Sequence, residues 1–494
     1  MEGGGHVSSP VPITAAPSLL TQQQVSDDEQ QLVAALIGKL ATVNQSNAVK
    51  AAYFEGEQRV QKLGISIPPQ LSDIATVIGW SGSAVEVLEE RLDWQGWVET
   101  GADFGLKSVF KANELAVDSS LGHIDALVYG TAFVTVGSGG SGEPNPLVTI
   151  ESGRTTTGFY DPRSRRLFSS LTQQVDDESK AVVGVTLLLP DETIRLTRTA
   201  EGAPWRLEDR DQHRLGRVLA AQIVNRPRAG RTEGRSEISK AVRSYTDTAV
   251  RTLLGMEVHR EFYQAPQRYA LGADEDAFRD AHGNPVTGWE TIMGRMLGIG
   301  RDENGELPEV GQFPQSQPGP YLEQVRGLAQ LLAAECAIPA TYLGFATDQA
   351  ASADAIRAME SRLIKRSERR QLIFGRAWTE VARLCLLVRD QRIPDEFDDV
   401  VSVKWRDPAT PTRSAAADEV LKYASADVVP KHSRVLLDRA GFSPDEQRQI
   451  ELDRRRGSVT SLLDRLPGAA ADAARDPQVD ELASRRVTDD DPAE

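Results

Sequence analysis

Along most of the chain apolar residues recur at helical spacing, and over one central block the period falls to two. From Gln31 to about Gln61, Leu32, Leu36, Leu40, Val49 and Tyr53 predict a helix. A loop, Gly64-Ile-Ser-Ile-Pro-Pro69, and a short helix, Ala84 to Leu92, come next, the helix stopping before Trp94-Gln-Gly-Trp97. Leu106, Val109, Phe110, Leu115, Leu121, Ile124 and Leu127 place one or two packed helices between Phe104 and Tyr129. Beyond Tyr129 the alternation predicts strands at Ala132–Val136, Leu147–Ser152, Thr156–Tyr160, Arg166–Gln173, Ala181–Leu188, Thr193–Arg198 and Gly216–Val224. Turns rich in Gly, Pro and Asp separate them, so the block reads as an antiparallel insertion and the fold class as α+β.

The helical period returns at Ser236, a candidate N-cap, with Ile238, Val242, Tyr245, Ala249, Leu253 and Met256 on one stripe. A rod of roughly 39 Å results. Residues 266–320 are irregular and suit a small β-rich lobe, with short apolar runs such as Ile292–Leu297. Pro318-Gly-Pro320 then opens a second helix carrying Leu322, Val325, Leu328, Leu332 and Cys336. After Ile338-Pro339 the small-residue hinge Thr341–Ala351 leads into a helix from Ser352 to about Arg389, long enough for ~55 Å. Its apolar positions lie at both ends (Ile356, Met359, Leu363; Phe374, Trp378, Val381, Leu384, Val388). Between them Lys365-Arg-Ser-Glu-Arg-Arg370 is polar all round, which predicts a kink or a solvent-bridged middle. A strand at Val400–Trp405, a helical region from about Pro411 to Leu466 and an acidic tail complete the chain, without a repeat of roughly 20–50 residues.

Composition narrows the function. The 494 residues carry a net charge of −16, the reverse of the basic footprint of a tight nucleic-acid binder. No apolar run reaches the ~18 residues of a membrane span, and the N-terminus has neither a basic start nor an apolar signal core. The expected compartment is therefore cytoplasmic. Cys336 and Cys385 lie on apolar helical faces and read as buried reduced thiols.

Sequence matches to chemical motifs fail on context. Gly137-Ser-Gly-Gly-Ser-Gly142 follows a strand, but Glu143-Pro-Asn-Pro146 leads to another strand where a dinucleotide site needs a helix N-terminus. Gly38-Lys39 lies inside a helix, with Val33 and Leu40 at the positions a phosphate loop reserves for Gly and a hydroxyl. Asp395, Glu396, Asp398 and Asp399 offer the oxygens a divalent ion requires, yet a solvated acidic turn before a strand is the commoner outcome, as it is for Asp274, Glu275 and Asp276. His6, His123, His213, His259, His282 and His432 have no metal-ligand spacing, and no Gly-x-Ser-x-Gly elbow occurs. No cofactor, metal site or catalytic residue is expected.

Several segments, in order, carry a family likeness: Tyr53-Phe-Glu-Gly56, Arg91-Leu-Asp-Trp-Gln-Gly-Trp97, Ala126-Leu-Val-Tyr-Gly-Thr-Ala-Phe-Val134 and Val224-Asn-Arg-Pro-Arg228. Gly234-Arg-Ser-Glu-Ile238, Ile338-Pro-Ala-Thr-Tyr-Leu-Gly344, Ser352-Ala-Asp-Ala-Ile356 and Trp405-Arg-Asp-Pro408 continue it. Over about residues 30–465 the chain resembles the portal proteins of tailed bacteriophages, in particular those of long-tailed actinobacteriophages. That resemblance implies a ring, usually of twelve copies, at one capsid vertex, with double-stranded DNA passing through it. It also implies as partners the terminase large subunit, a head-completion or adaptor protein, and the major capsid and scaffold proteins, with assembly in the host cytoplasm and no membrane.

Carried over by segment, residues 1–30 would be a disordered arm, 31–235 the wing, 236–262 and 320–339 two stem helices, and 263–319 the clip. Residues 340–351 would be the tunnel loop, 352–410 the long wing helix and strand, 411–466 the crown and 467–494 a disordered acidic tail. Gly344, Phe345, Thr347, Asp348 and Gln349 are the loop residues expected near DNA, and Glu323 and Glu335 the channel-facing candidates on the second stem helix. Few cations in such a lumen would let DNA slide. Another ring or scaffold component of a virion, and a nuclease using the Asp395–Asp399 carboxylates, are the alternative readings.

Overall fold

The computed structural model describes residues 25–58, 77–263 (except 177, 180, 201, 202 and 204), 268–272, 305, 309–312, 317–344 and 353–457 (except 412 and 444). Expectations for residues 1–24, the Gly64–Pro69 loop, Asp274–Asp276, Ile292–Leu297, Phe345–Gln349, the side chain of Ile356 and the acidic tail lie outside the described residues. So do those for most of residues 263–319.

The first helix, α1 (Asp27–Glu55), begins four residues before the apolar stripe because Ser26 and Glu29 form a capping box. Ser26 Oγ accepts from the Glu29 amide (3.3 Å) and Glu29 Oε2 from the Ser26 amide (2.8 Å). Residues 27–30, expected within the arm, are thus helix. Val33 and Leu36 of α1 are buried against Leu171, Val185, Leu187, Ile194 and Leu196. Those five line one face of a five-stranded antiparallel meander: β4 (Thr156–Asp161), β5 (Arg166–Val175), β6 (Val182–Leu188), β7 (Thr193–Thr197) and β8 (Arg206–Asp211). The strand β8 escaped the periodicity because Arg206-Leu-Glu-Asp-Arg-Asp211 has a single apolar residue. As the last strand of the meander it needs few.

A separate three-stranded antiparallel sheet has β2 (Thr131–Gly137) between β3 (Leu147–Glu151) and β9 (Ala220–Val224). The expected single β insertion is therefore two sheets. Around them pack α2 (Trp80–Glu89), α3 (Leu106–Ala112) and α4 (Leu115–Tyr129). The Trp94–Trp97 stretch belongs to a strand, β1 (Trp94–Glu99), whose partner β12 (Val401–Trp405) lies some 300 residues onward, a pairing no local pattern reveals. Arg268–Leu271 (β10) pairs antiparallel with Glu309–Gln312 (β11).

Three long helices complete this unit: α5 (Lys240–Tyr263), α6 (Gly319–Cys336) and the 38-residue α7 (Ala353–Asp390), with α8 (Phe397–Val400) preceding β12. Residues up to Pro408 cluster as one unit, whose main core runs through α2, α4, β2 and β9 to all three long helices. A second unit begins at Ala409 with α9 (Arg413–Ser425), α10 (Arg434–Arg439) and a helix, α11, over 445–457. Within it Arg439 pairs with Glu419 (3.1 Å) and Arg434 with Glu451. No helix of the described residues is long and apolar enough to cross a membrane.

Candidate functional site

The two rods α5 and α6 bury Val242, Ala249, Val250 and Leu254 on one and Val325, Ala329, Leu332, Ala333 and Cys336 on the other; of the expected stripes Tyr245, Leu253, Met256 and Leu328 are half-buried and Leu322 is exposed. His259 and Tyr321 meet edge to face at 5.4 Å. The helix cap is Ser239, whose Oγ accepts from the Val242 amide (3.3 Å), and not Ser236, whose hydroxyl instead donates to the Val128 carbonyl. Ser239 also donates to Glu335 (3.5 Å), so the exposed Glu335 of α6 sits at the start of α5. An anion there complements the helix dipole. Glu323 is exposed on α6.

Below this cap the chain forms a buried ionic junction. Glu237 has only 4% of its side chain exposed and receives Arg366 Nη2 (2.6 Å), Arg370 Nη2 (2.6 Å) and Arg226 Nη1 (3.4 Å). Asn225 Nδ2 donates to Glu237 Oε1 (3.0 Å) and to the Arg235 carbonyl (2.7 Å), while Arg370 Nε donates to Asn225 Oδ1 (3.3 Å). Burial alone would raise the Glu237 carboxyl; the three guanidiniums outweigh it and hold its pKa below the ordinary carboxylate range. Burial pushes the Arg370 pKa down, against the pull of Glu237.

The junction explains the polar middle of α7. It is not solvent-bridged: Ser367 and Arg370 are buried, and α7 runs unbroken through it. Because arginine offers a planar fork of donors, Arg370 serves Glu237, Asn225 and the Arg366 carbonyl together. Backbone closes the joint on its other side. The Glu237 amide donates to the Leu127 carbonyl (2.8 Å) and the Asn225 amide to the Gly130 carbonyl (2.9 Å). Gly130 (φ +100°) and Gly234 touch main chain to main chain; a Cβ on Gly234 would lie 1.8 Å from the Gly130 oxygen. The segment leading into α5 is thereby fastened to the end of α4 and to the centre of α7.

A second joint lies at the hinge after α6. Ala340–Leu343 is a short 3-10 turn, Leu343 is buried, and Gly344 (φ +88°) ends the turn exposed. Tyr342 donates its hydroxyl to Glu360 on α7, and Arg91 Nη2 reaches both (3.2 Å each) while its Nη1 donates to the Pro408 carbonyl (2.7 Å). Burial, then the hydrogen bond to Glu360, raises the Tyr342 pKa. The start of the hinge and the helix that follows it are thus tied to one arginine. Of the expected loop residues, Gly344 alone is described; Phe345, Thr347, Asp348 and Gln349 are not.

Arg91 belongs to the segment Arg91–Trp97, and its neighbours have equally definite tasks. Trp94 stacks on Trp378 of α7 (3.9 Å between centroids), and Trp97 Nε1 donates to the Trp378 carbonyl (2.9 Å). Trp378 Nε1 donates to His123 Nε2 (3.0 Å), and full burial pushes His123 down to about 3, leaving it neutral. Sequence reasoning missed Glu237, Asn225 and Arg91 as a set; the polar run 365–370 on an otherwise apolar-striped helix was the available signal.

Nothing gathers at the acidic turn. Asp398 is paired with Arg383, and among the described residues no group of three His, Cys, Asp or Glu is placed to hold a metal ion.

Comparison with known proteins gives a consistent picture. Residues 92–457 match the family model "Phage portal protein, SPP1 Gp6-like". The portal protein of Mycobacterium phage D29 is 31% identical over 450 residues, 88% of each chain. That of Mycobacterium phage L5 is 29% identical over 427 residues, 84% of this chain and 86% of its own. A chain in the virion of a native gene transfer agent particle is similar at 13% identity and a TM-score of 0.39, covering 74% of this chain and 90% of that one. A likeness of that size bears no weight here.

Proposed function

The chain belongs to the SPP1 Gp6-like family of phage portal proteins, structural components of the virion, and from that premise we propose that its copies form the ring-shaped channel at one capsid vertex. In this reading the ring, of about twelve copies as the family resemblance implies, serves DNA packaging by terminase. It then joins head to tail through an adaptor protein and lets DNA out. Residues 31–235 act as wing, 236–262 and 320–339 as stem, 263–319 as clip toward terminase and adaptor, and 411–466 as crown. The loop 340–351 faces the lumen.

The observation that carries the reading is the pair of clamps at the shared end of the rods, where α5 begins and α6 ends. A channel loop must stay placed while DNA moves past it, and Arg91, Tyr342 and Glu360 tie its first residues to the helix that follows it. The junction at Glu237 ties the other rod to the centre of α7. Charge agrees: at −16 overall the protein offers a passing duplex little reason to stick. Gly344, Phe345, Thr347, Asp348 and Gln349 form the proposed collar against the DNA backbone, and Glu323 and Glu335 contribute negative charge to the stem.

Negative-stain images of the purified protein test the ring. Radial particles with an axial hole are expected, and a monomer under all conditions, with capsid and scaffold proteins present, would sink the proposal. Replacing both Thr347 and Asp348 with Trp should cut full-head yield while rings persist; normal yield would remove the collar.

A further inference from the structure

Two surface patches on the unit that ends at Pro408 complement each other in chemistry, and neither has a role in the clamps. The first is a groove of about 700 Å³ between the β4–β5 turn, β9, the segment 227–232 and α7. Phe168 and Leu372 stand open in it, 51% and 79% exposed; Leu372 is the most exposed large apolar residue among those described. Arg165, Arg166 and Arg228 line it and have no carboxylate partner among the described residues. Arg376 donates to the Tyr160 hydroxyl (2.7 Å).

The second patch is the outer face of α4 and its N-cap: Glu114, Val117 (69% exposed), Asp118 and Leu121 (56% exposed). These recur one helical turn apart, so they share a face. Neither carboxylate is ion-paired among the described residues, and partial burial, then the charge of Glu114, raises the Asp118 pKa. The patch is acidic and apolar, the groove basic and apolar.

Their directions decide what kind of contact they make. Helices α4 and α7 face each other, with His123 5.3 Å from the ring of Phe374 and hydrogen-bonded to Trp378. Leu121 lies two residues before His123 and Leu372 two before Phe374, about 200° around each helix at ~100° per residue. Each therefore points away from the shared interior, in opposite directions. The two patches cannot meet within one chain, and a copy that engages one patch leaves the other open for a third copy. A contact of this heterologous kind repeats head to tail, giving a ring where the rotation between copies closes and an open filament where it does not.

We propose that the outer face of α4 in one copy seats in the arginine-rimmed groove of its neighbour, Val117 and Leu121 against Phe168 and Leu372, Glu114 and Asp118 against Arg165 and Arg228. The proposal rests on the ring reading above and supplies its subunit contact.

Full-length protein carrying Leu121→Cys and Leu372→Cys together, assembled and mildly oxidised, tests it on a non-reducing gel. The native Cys336 and Cys385, 4% and 1% exposed, should stay silent. A ladder rising beyond dimer is expected from the double variant, and dimers only from a mixture of the two single variants. A single variant that crosslinks to itself would overturn the proposal in favour of a two-fold contact. Rings of normal appearance without a ladder would overturn the contact and leave the portal reading intact, whereas wild-type protein that never forms rings would overturn the portal reading. As a second measurement, Glu114→Arg with Asp118→Arg should lower the ring fraction about tenfold, and adding Arg165→Glu with Arg228→Glu should restore it. Absence of restoration in a folded protein counts against the pairing.

Discussion

Glu237, at the junction of α5 with α7, and Glu151, on β3 opposite Phe133 of β2, are both glutamates buried inside the first unit. Glu237 is met by three guanidiniums and the Asn225 amide, and its pKa stays low. Glu151 has no cation among the described residues to meet it, one of its oxygens has no hydrogen-bond partner, and burial alone pushes it up to about 7. The difference lies in what surrounds each group, since both are the same residue at similar depth. A buried charge with counterions on several elements fixes those elements relative to one another. A buried acid without them loses its charge and fixes little.

The largest expected effect comes from removing the charge at the junction. Glu237→Gln leaves Arg370 buried and uncompensated, and urea unfolding should show a loss of about 3–5 kcal/mol. A loss under about 1 kcal/mol would mean that the junction does not hold α7 to the α5 approach. Gly234→Ala attacks the same joint from the backbone, because its methyl would drive into the Gly130 carbonyl. About 2–3 kcal/mol should be lost, with near-wild-type stability as the contrary outcome.

Glu151→Gln probes the other side of the comparison through pH. A carboxyl whose folded pKa is raised stabilises the fold fully below its unfolded value near 4.5 and loses that contribution as pH climbs through about 7. At about 1.4 kcal/mol per unit, the variant should gain roughly 2–3 kcal/mol on the wild type between pH 4.5 and pH 8. A stability difference that is flat with pH would contradict the neutral-acid description. The smallest effect belongs to Tyr342→Phe. Its hydrogen bond to Glu360 is open to water, so about 0.5–1 kcal/mol is expected from thermal melts, and a loss as large as that of Glu237→Gln would erase the contrast between the wet and dry joints.

Much of the fold was legible along the chain. The stripes Ile238–Met256 and Leu322–Cys336 place both rods to within a few residues, and alternation finds seven of the strands in the two larger sheets, because burial of one face repeats locally at 3.6 or 2 residues. The capping box of Ser26 and Glu29 is equally readable along the chain. The division of the strands into two sheets, the pairing of β1 with β12, and β8 were not, since register and partner depend on residues far apart and a charged outer strand carries no stripe.

The functional joints divide in the same way. Sequence determined that a small-residue hinge separates two rods and that Lys365–Arg370 interrupts an apolar helix. Only the tertiary structure decided that Arg366 and Arg370 meet a carboxylate about 130 residues earlier, and that Arg91 reaches Tyr342 and Glu360 across some 250 residues. Periodicity records which side of an element is dry. It holds no record of which opposite charge arrives there, because that depends on how separate elements dock, and burial then makes the pairing strong.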